Sequence, residues 1–301
     1  MKIARFASAA GPRLGVVLDG NRLIDCALEA QAQGLDWAVP LFTDLRTFLM
    51  TGDEGRSLAQ WLAGRRNARA MPLDQVRLLA PVESASKILA HVVNYTEHGK
   101  EGGGLTPPEQ PFFFWKHGST LVAPGDDIVG HATSPKIDYE AELAVIIGKR
   151  GRDIPAERAY EHVAGYTVAN DISFRDFQTN EMMRSLTARY GQNWVQGKAL
   201  DASCPIGPWI ACTDEIAEPY PLQLTCRVNG EVRQNDSTAS MVYKVPALIE
   251  MASKGMTLYP GDVVLTGTPA GSAIATGNYL KTGDWVECEI EGVGVLGNRV
   301  G

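Results

Sequence analysis

The stretch from Lys136 to Gly148, Lys-Ile-Asp-Tyr-Glu-Ala-Glu-Leu-Ala-Val-Ile-Ile-Gly, constrains the fold more than any other part of this sequence. With the two-residue period of a β-strand, Ile137, Tyr139, Ala141, Leu143, Val145 and Ile147 share one face, and Asp138, Glu140 and Glu142 share the other. Beyond Glu142 the acidic side continues as Ala144 and Ile146, so the strand becomes apolar on both faces and has to run into a layered interior. Carboxylates placed where such a strand enters the core are costly unless cations meet them. A solvated acidic strand edge would be the ordinary explanation of the pattern, and the two-sided apolar continuation argues against it. Asp138 could be a fourth ligand or a partner behind the ligands, but being nearest the start of the strand it is expected to be a surface or turn residue.

A chain of 301 residues can bury a full core without disulfide or metal staples, and this length favours one larger domain with a smaller one. The formal charge of −7, with no basic stripe, disfavours nucleic acid and anionic membranes as partners. Cys26, Cys204, Cys212, Cys226 and Cys288 are odd in number, widely spaced and form no C-x-x-C pair, which points to core thiols rather than a disulfide framework or a zinc site. The opening residues Met-Lys-Ile-Ala-Arg-Phe lack an apolar signal core, and no stretch approaches the roughly 20 apolar residues that span a bilayer. No membrane partner and a cytoplasmic location are therefore expected.

Residues 1–80 read as a small α+β N-terminal domain. Short strands are joined at Asp19-Gly20-Asn21, and Leu45, Phe48, Leu49 and Leu58, Trp61, Leu62 recur at helical spacing around Thr51-Gly52-Asp53. Residues 81–301 read as a second domain, mostly β with some α. Its first strand, Ser86 to Val93, leads into Thr96 to Gln110, whose three consecutive glycines and two prolines predict a mobile lid-like loop carrying His98 and Glu101. Gly165 to Asp171 reads as a strand. Ser173 followed by Asp176 marks a helix start, with the helix reaching about Tyr190 and Gly191 stopping it. Asn229-Gly230 between apolar runs predicts a type I′ hairpin. Gly292-Val-Gly-Val-Leu-Gly297 fits G-x-G-x-x-G, but only four residues follow it, so it can be no more than a turn between strands.

Glu140, Glu142 and Asp171 offer only oxygen ligands, which selects a hard cation, Mg²⁺ or Mn²⁺, over zinc or copper. Three protein ligands would leave about three octahedral positions for water and a bidentate substrate. His98 and Glu101 stand one helical turn apart, a spacing at which the acid can orient the ring of a general base. Lys198 lies among residues typical of an ordered interior, so it either pairs with the acidic site or donates a proton to a carbanion or enolate. Arg175, Gln178 and Thr268 are candidates for contacts with a substrate carboxylate.

These residues stand in a longer ordered series: Asn94-Tyr-x-x-His98-x-x-Glu101, Asp138-Tyr-Glu-x-Glu-Leu, Asn170-Asp171 with Arg175-Asp176-x-Gln178, Gly197-Lys198-x-x-Asp201, Cys204-Pro-x-Gly-Pro-Trp and Thr266-Gly-Thr-Pro-x-Gly. From about Lys87 to Gly301 the chain resembles the fumarylacetoacetate hydrolase family. The resemblance implies a mixed β-sandwich roll, usually dimeric, with Mg²⁺ or Mn²⁺ on Glu140, Glu142 and Asp171, a His98/Glu101 dyad and a catalytic Lys198. Asn94 stands where the founding hydrolase has a further aspartate ligand, as in the branch of acylpyruvases and oxaloacetate decarboxylases. The activity expected first is metal-dependent hydrolytic C–C cleavage of an acylpyruvate or diketo-deoxy sugar acid. The alternatives are decarboxylation or tautomerisation of oxaloacetate, or isomerisation of a 2-hydroxy-dienedioate, at the same metal. A non-catalytic metal-binding protein is the third reading.

Overall fold

The computed structural model describes residues 1–83, 86–101, 104–129, 134–179 and 192–301. A meander of β1 (Lys2–Ser8), β2 (Gly11–Leu18) and β3 (Arg22–Asp25) opens the chain. Helices α1 (Cys26–Ala32), α2 (Leu45–Met50) and α3 (Gly52–Ala63) follow, and then β4 (Ala70–Pro72). Asp25 and Asp44 cap α1 and α2 by accepting the backbone N–H of Leu28 and Thr47. The middle of the chain forms β5 (Ile88–His91), α4 (Thr96–Glu101), β6 (Phe113–Lys116), β7 (Leu121–Val122), β8 (Ile137–Asp138), β9 (Ala141–Ile147), β10 (Val163–Asn170), β11 (Ser173–Phe174) and α5 (Arg175–Thr179). The remainder holds α6 (Trp194–Lys198), β12 (Cys204–Cys212), β13 (Gln223–Val228), β14 (Glu231–Ser237), α7 (Val245–Ser253), β15 (Val263–Leu265), α8 (Ala273–Thr276), β16 (Trp285–Ile290) and β17 (Gly294–Arg299).

Two sheets carry the architecture. The larger runs β4-β3-β2-β1-β12-β10-β9-β15-β5-β6, with β7 beside β12, and the smaller runs β14-β13-β16-β17. The N-terminal meander joins the large sheet through β1, where Lys2 pairs with Ala211 and Ile3 with Ile210. Strand β9 is buried along its whole length, as its two-sided apolar pattern requires. Leu143, Val145 and Ile147 pack with Leu224, Val286 and Leu296 of the smaller sheet, while Ala144 and Ile146 share a second core with Phe42, Phe48 and Leu62 of the N-terminal helices. Each of the larger aliphatic side chains so buried stabilises the fold by roughly 1.5–3 kcal/mol. Asn229 and Gly230 have φ of 52° and 83°, the two positive values of the predicted type I′ turn. The Gly292–Gly297 motif lies in the β16–β17 hairpin, as expected for a turn between strands. No helix among the described residues is long and apolar enough to cross a membrane.

Two local expectations need correction, and a third falls largely outside the described residues. His98 and Glu101 sit on the short helix α4 rather than on an irregular loop, because the first helical turn ends before the glycine run begins. Ser173 is the first residue of the two-residue strand β11, and its hydroxyl bonds the Asp171 carbonyl instead of capping a helix. Helix α5 is described only over Arg175–Thr179, and the rest of the span expected to reach Tyr190 lies outside the described residues.

The register explains where chemistry can collect. Strand β9 is antiparallel to β10 and β15, and β15 is parallel to β5. The carboxyl ends of β5, β10 and β15 therefore meet the amino end of β9 along one margin of the sheet. His91, Asp171, Thr268, and Glu140 and Glu142 at the start of β9, are delivered to that margin from four segments remote in sequence.

Candidate active site

Glu140, Glu142 and Asp171 converge there, each with a carboxylate oxygen within 4.8 Å of the others and all three buried. A break in the strand between β8 and β9 makes this possible. The Glu140 backbone N–H donates to Asn170 Oδ1 (2.9 Å) and its carbonyl accepts from the Asp171 N–H (2.8 Å), tying the acidic segment to the end of β10. Glu142 accepts the Gly267 N–H at 2.6 Å.

Cations meet these acids as their burial demands. Lys198 is buried and donates to Asp171 Oδ2 (2.7 Å) and to Glu140. Lys116 is fully buried, with Nζ 2.7 Å from Asp171 Oδ1, and it donates to the Lys198 carbonyl. Arg175 Nε donates to Asp138 Oδ2 (2.8 Å), one terminal nitrogen to Gln178 Oε1 (2.9 Å) and the other to Glu140. Burial raises the Glu140 carboxyl, but Lys198 and Arg175 outweigh it and hold the group well below the usual carboxylate range. Glu142 goes the other way: burial, then the Asp171 and Glu140 charges, push it well above that range.

Asp138 is neither a surface nor a turn residue. It is completely buried, and besides Arg175 it accepts the backbone N–H groups of Tyr139, Ala273 and Ile274. These last two open α8, so one carboxylate binds the arginine to the segment after β15. Asn94, also buried, is occupied structurally: its amide donates to the carbonyls of Tyr243 and Thr266 and accepts the Tyr243 N–H.

A cavity of about 100 Å³ opens onto this cluster, and His98, Glu140, Glu142, Arg175, Gln178, Lys198 and Thr268 are among its lining residues. His98 Nε2 lies 4.0 Å from Glu140 Oε1, and Nδ1 lies 3.9 Å from Glu101 Oε2 without a hydrogen-bond partner among the described residues. Burial lowers the pKa of the imidazole, opposed by Glu140. Glu101 is not bonded to that ring. Both of its oxygens accept the Gly271 N–H, at 3.0 and 2.9 Å, and burial raises its pKa. Thr268 donates to the Ala141 carbonyl and accepts from Gln234.

Every residue singled out from sequence thus lies on or beside one cavity, with Asp171 and Glu101 behind its wall. Lys116 and Asp138 were the omissions. A lysine ending the aromatic strand Phe-Phe-Trp-Lys was the readable signal for the first. The second shares the acidic face of Glu140 and Glu142. The all-oxygen donor set suits a hard divalent ion, and ligands about 2.1 Å from a common centre stand at most about 4.2 Å apart, so the three carboxylates fit one with little contraction.

A family model described as fumarylacetoacetate (FAA) hydrolase C-terminal matches residues 87–301. The chain is 39% identical over 305 residues to a mitochondrial oxaloacetate tautomerase of Xenopus laevis, covering 100% of this chain and 90% of that protein. Among solved structures it is similar to maleylpyruvate hydrolase from Sphingobium, with a TM-score of 0.77, 32% identity and coverage of 100% and 99%. It is also similar to 2-hydroxyhepta-2,4-diene-1,7-dioate isomerase from Mycobacterium marinum, with a TM-score of 0.72, 32% identity and coverage of 100% and 98%.

Proposed function

The chain belongs to the fumarylacetoacetate hydrolase family, and from that premise we propose that it is a divalent-metal-dependent tautomerase of a small 2-oxo dicarboxylic acid of the oxaloacetate type. One observation carries this choice over hydrolysis: His98 faces the carboxylate cluster while Glu101 is held by Gly271, so the imidazole approaches the reacting centre without the glutamate bonded to it. The relative's name, oxaloacetate tautomerase, supports the same reading.

Glu140, Glu142 and Asp171 would hold Mg²⁺ or Mn²⁺, which polarises the 2-oxo group and acidifies the neighbouring C3 hydrogen. His98, kept neutral by burial, accepts the C3 proton at Nε2, the nitrogen directed toward the cluster. Lys198 stays charged because Asp171 and Glu140 outweigh the cost of its burial, and it supplies the proton to the C2 oxygen. The opposite transfers ketonise the enol, and after either direction proton exchange with solvent returns His98 and Lys198 to their starting states. The cavity volume suits a small acid, being well under the ~300–1,000 Å³ of drug-sized pockets.

Hydrolytic C–C cleavage of an acylpyruvate or diketo-deoxy sugar acid is the second reading, favoured by the similarity to a maleylpyruvate hydrolase. It needs water activated by His98 together with Glu101, and therefore release of Glu101 from Gly271. A homodimer, a cytoplasmic location and the division at residue 80 belong to the same overall proposal.

The test follows the enol of oxaloacetate by ultraviolet absorbance, with Mg²⁺ or Mn²⁺ and after chelation. His98→Ala should slow ketonisation by about 10²-fold or more while leaving metal-assisted decarboxylation largely intact. An unchanged ketonisation rate rejects the mechanism, and pyruvate release from acylpyruvates without oxaloacetate tautomerisation favours hydrolysis.

A further inference from the structure

His91, at the end of β5, is explained by none of the roles above. It is 3% exposed, and neither ring nitrogen has a hydrogen-bond partner among the described residues. Its ring meets Phe113 at 5.5 Å and Tyr243 at 5.6 Å, both edge-on, so two aromatic walls fix its orientation. It lines the same cavity as His98 and Glu140. A buried polar group left without a partner is costly, which calls for a compensating role. The adjoining backbone adds a second sign: Val93, also in the cavity wall, has a φ of 52°, a conformation that β-branched residues rarely adopt and that tends to persist at ligand sites.

The cavity presents unequal groups to the two ends of a dicarboxylic acid. One end faces the metal-binding carboxylates, where a 2-oxo acid unit would chelate. Arg175, the obvious receptor for the second carboxylate, already donates to Asp138, Glu140 and Gln178. Among the side chains lining the cavity, His91 is the one whose two ring nitrogens are both buried and without a partner among the described residues.

We infer that His91 donates a hydrogen bond to the distal carboxylate of the bound 2-oxo dicarboxylic acid and so selects it over acids lacking that group. This rests on the tautomerase reading for the identity of the substrate. Burial lowers the imidazole pKa to about 4, so the free ring is neutral and offers one N–H donor and one bare nitrogen. A single hydrogen bond to a charged oxygen, made in a dry cavity, corresponds to roughly a tenfold or greater effect on affinity.

The experiment compares wild type, His91→Phe and His91→Gln, all loaded with Mn²⁺. Phenylalanine preserves the ring against Phe113 and Tyr243 but removes the donor, whereas glutamine retains an N–H. Binding of oxalate, which has no distal group, and of oxaloacetate is measured by calorimetry, alongside KM and kcat for tautomerisation. His91→Phe should weaken oxaloacetate binding and raise KM about tenfold or more, with a much smaller fall in kcat and oxalate affinity held within about twofold. His91→Gln should recover part of the loss. Equal weakening of oxalate and oxaloacetate, or no change in their ratio, overturns the assignment. If wild type prefers oxaloacetate in binding and His91→Phe abolishes the preference, but no variant turns it over, the assignment stands and the tautomerase reading falls.

Discussion

Replacing Asp138 by asparagine tests the buried network that orients the site. Both carboxylate oxygens accept two N–H groups: Oδ1 from Tyr139 (2.9 Å) and Ala273 (2.5 Å), Oδ2 from Arg175 (2.8 Å) and Ile274 (3.1 Å). Asparagine retains only one oxygen. Whichever way its amide turns, an NH₂ group faces two donors and two hydrogen bonds to a charged acceptor disappear. At about 1.5–3 kcal/mol for each, and with Arg175 left without its partner in the interior, the loss should be about 3–5 kcal/mol. For a chain of this size that lowers the melting temperature by roughly 6–10 °C at about 2 °C per kcal/mol. Urea unfolding of Asp138→Asn, Arg175→Met and the double variant measures the coupling, expected to exceed about 1.5 kcal/mol. An Asp138→Asn variant within about 1 kcal/mol of wild type, or one whose effect simply adds to that of Arg175→Met, would refute the idea that this carboxylate anchors both the arginine and α8.

Two further outcomes follow from the geometry. Glu142→Gln removes one of three candidate ligands at nearly constant volume, and calorimetric Mn²⁺ affinity should fall at least about tenfold; unchanged affinity would mean that the ion binds elsewhere. His91 should make the fold acid-sensitive: its folded pKa of about 4 lies below the unfolded value near 6.5, so the unfolded chain binds more protons in that interval. Its contribution is fully present above about pH 6.5 and is lost as pH falls toward 4, by an amount on the order of 3 kcal/mol. His91→Phe should flatten that part of the stability–pH curve, and an unaltered slope would show that His91 is not held neutral.

Much of this site was legible because its decisive signal is local. The run from Ala141 to Ile147 could be recognised as doubly buried from alternation alone, and burial of the neighbouring acids made a cation necessary. The type I′ turn at Asn229-Gly230 and the spacing of His98 and Glu101 are local in the same way. Asp138 was misjudged because its partners Ala273 and Ile274 are more than 130 positions away, and no pattern around residue 138 reveals them. Lys116 is similar: its place is set by Asp171 and by the end of α6, brought together only when β6 reaches the margin of the sheet through β5. The glycines and prolines of Thr96 to Gln110 predict an irregular loop because they outweigh its first six residues, which form a helix in the folded chain.

The inner charges also bear on why so many cations surround the proposed metal site. Among the described residues, Asp138, Glu140, Glu142 and Asp171 face Lys116, Lys198 and Arg175, and with all seven ionised one negative charge remains. The upward push on Glu142 relieves that excess by favouring a proton on the one carboxyl for which burial and its acidic neighbours outweigh Lys198. A divalent ion held by Glu140, Glu142 and Asp171 would remove the need for that proton and bring the balance to one positive charge, which would favour a bound anion. The lysines and arginine thus keep the acids tolerable in a dry interior, while a bound ion would make the same interior receptive to a 2-oxo acid. Metal binding should on this reasoning precede substrate binding, and calorimetric titration of oxaloacetate with and without Mn²⁺ checks that order.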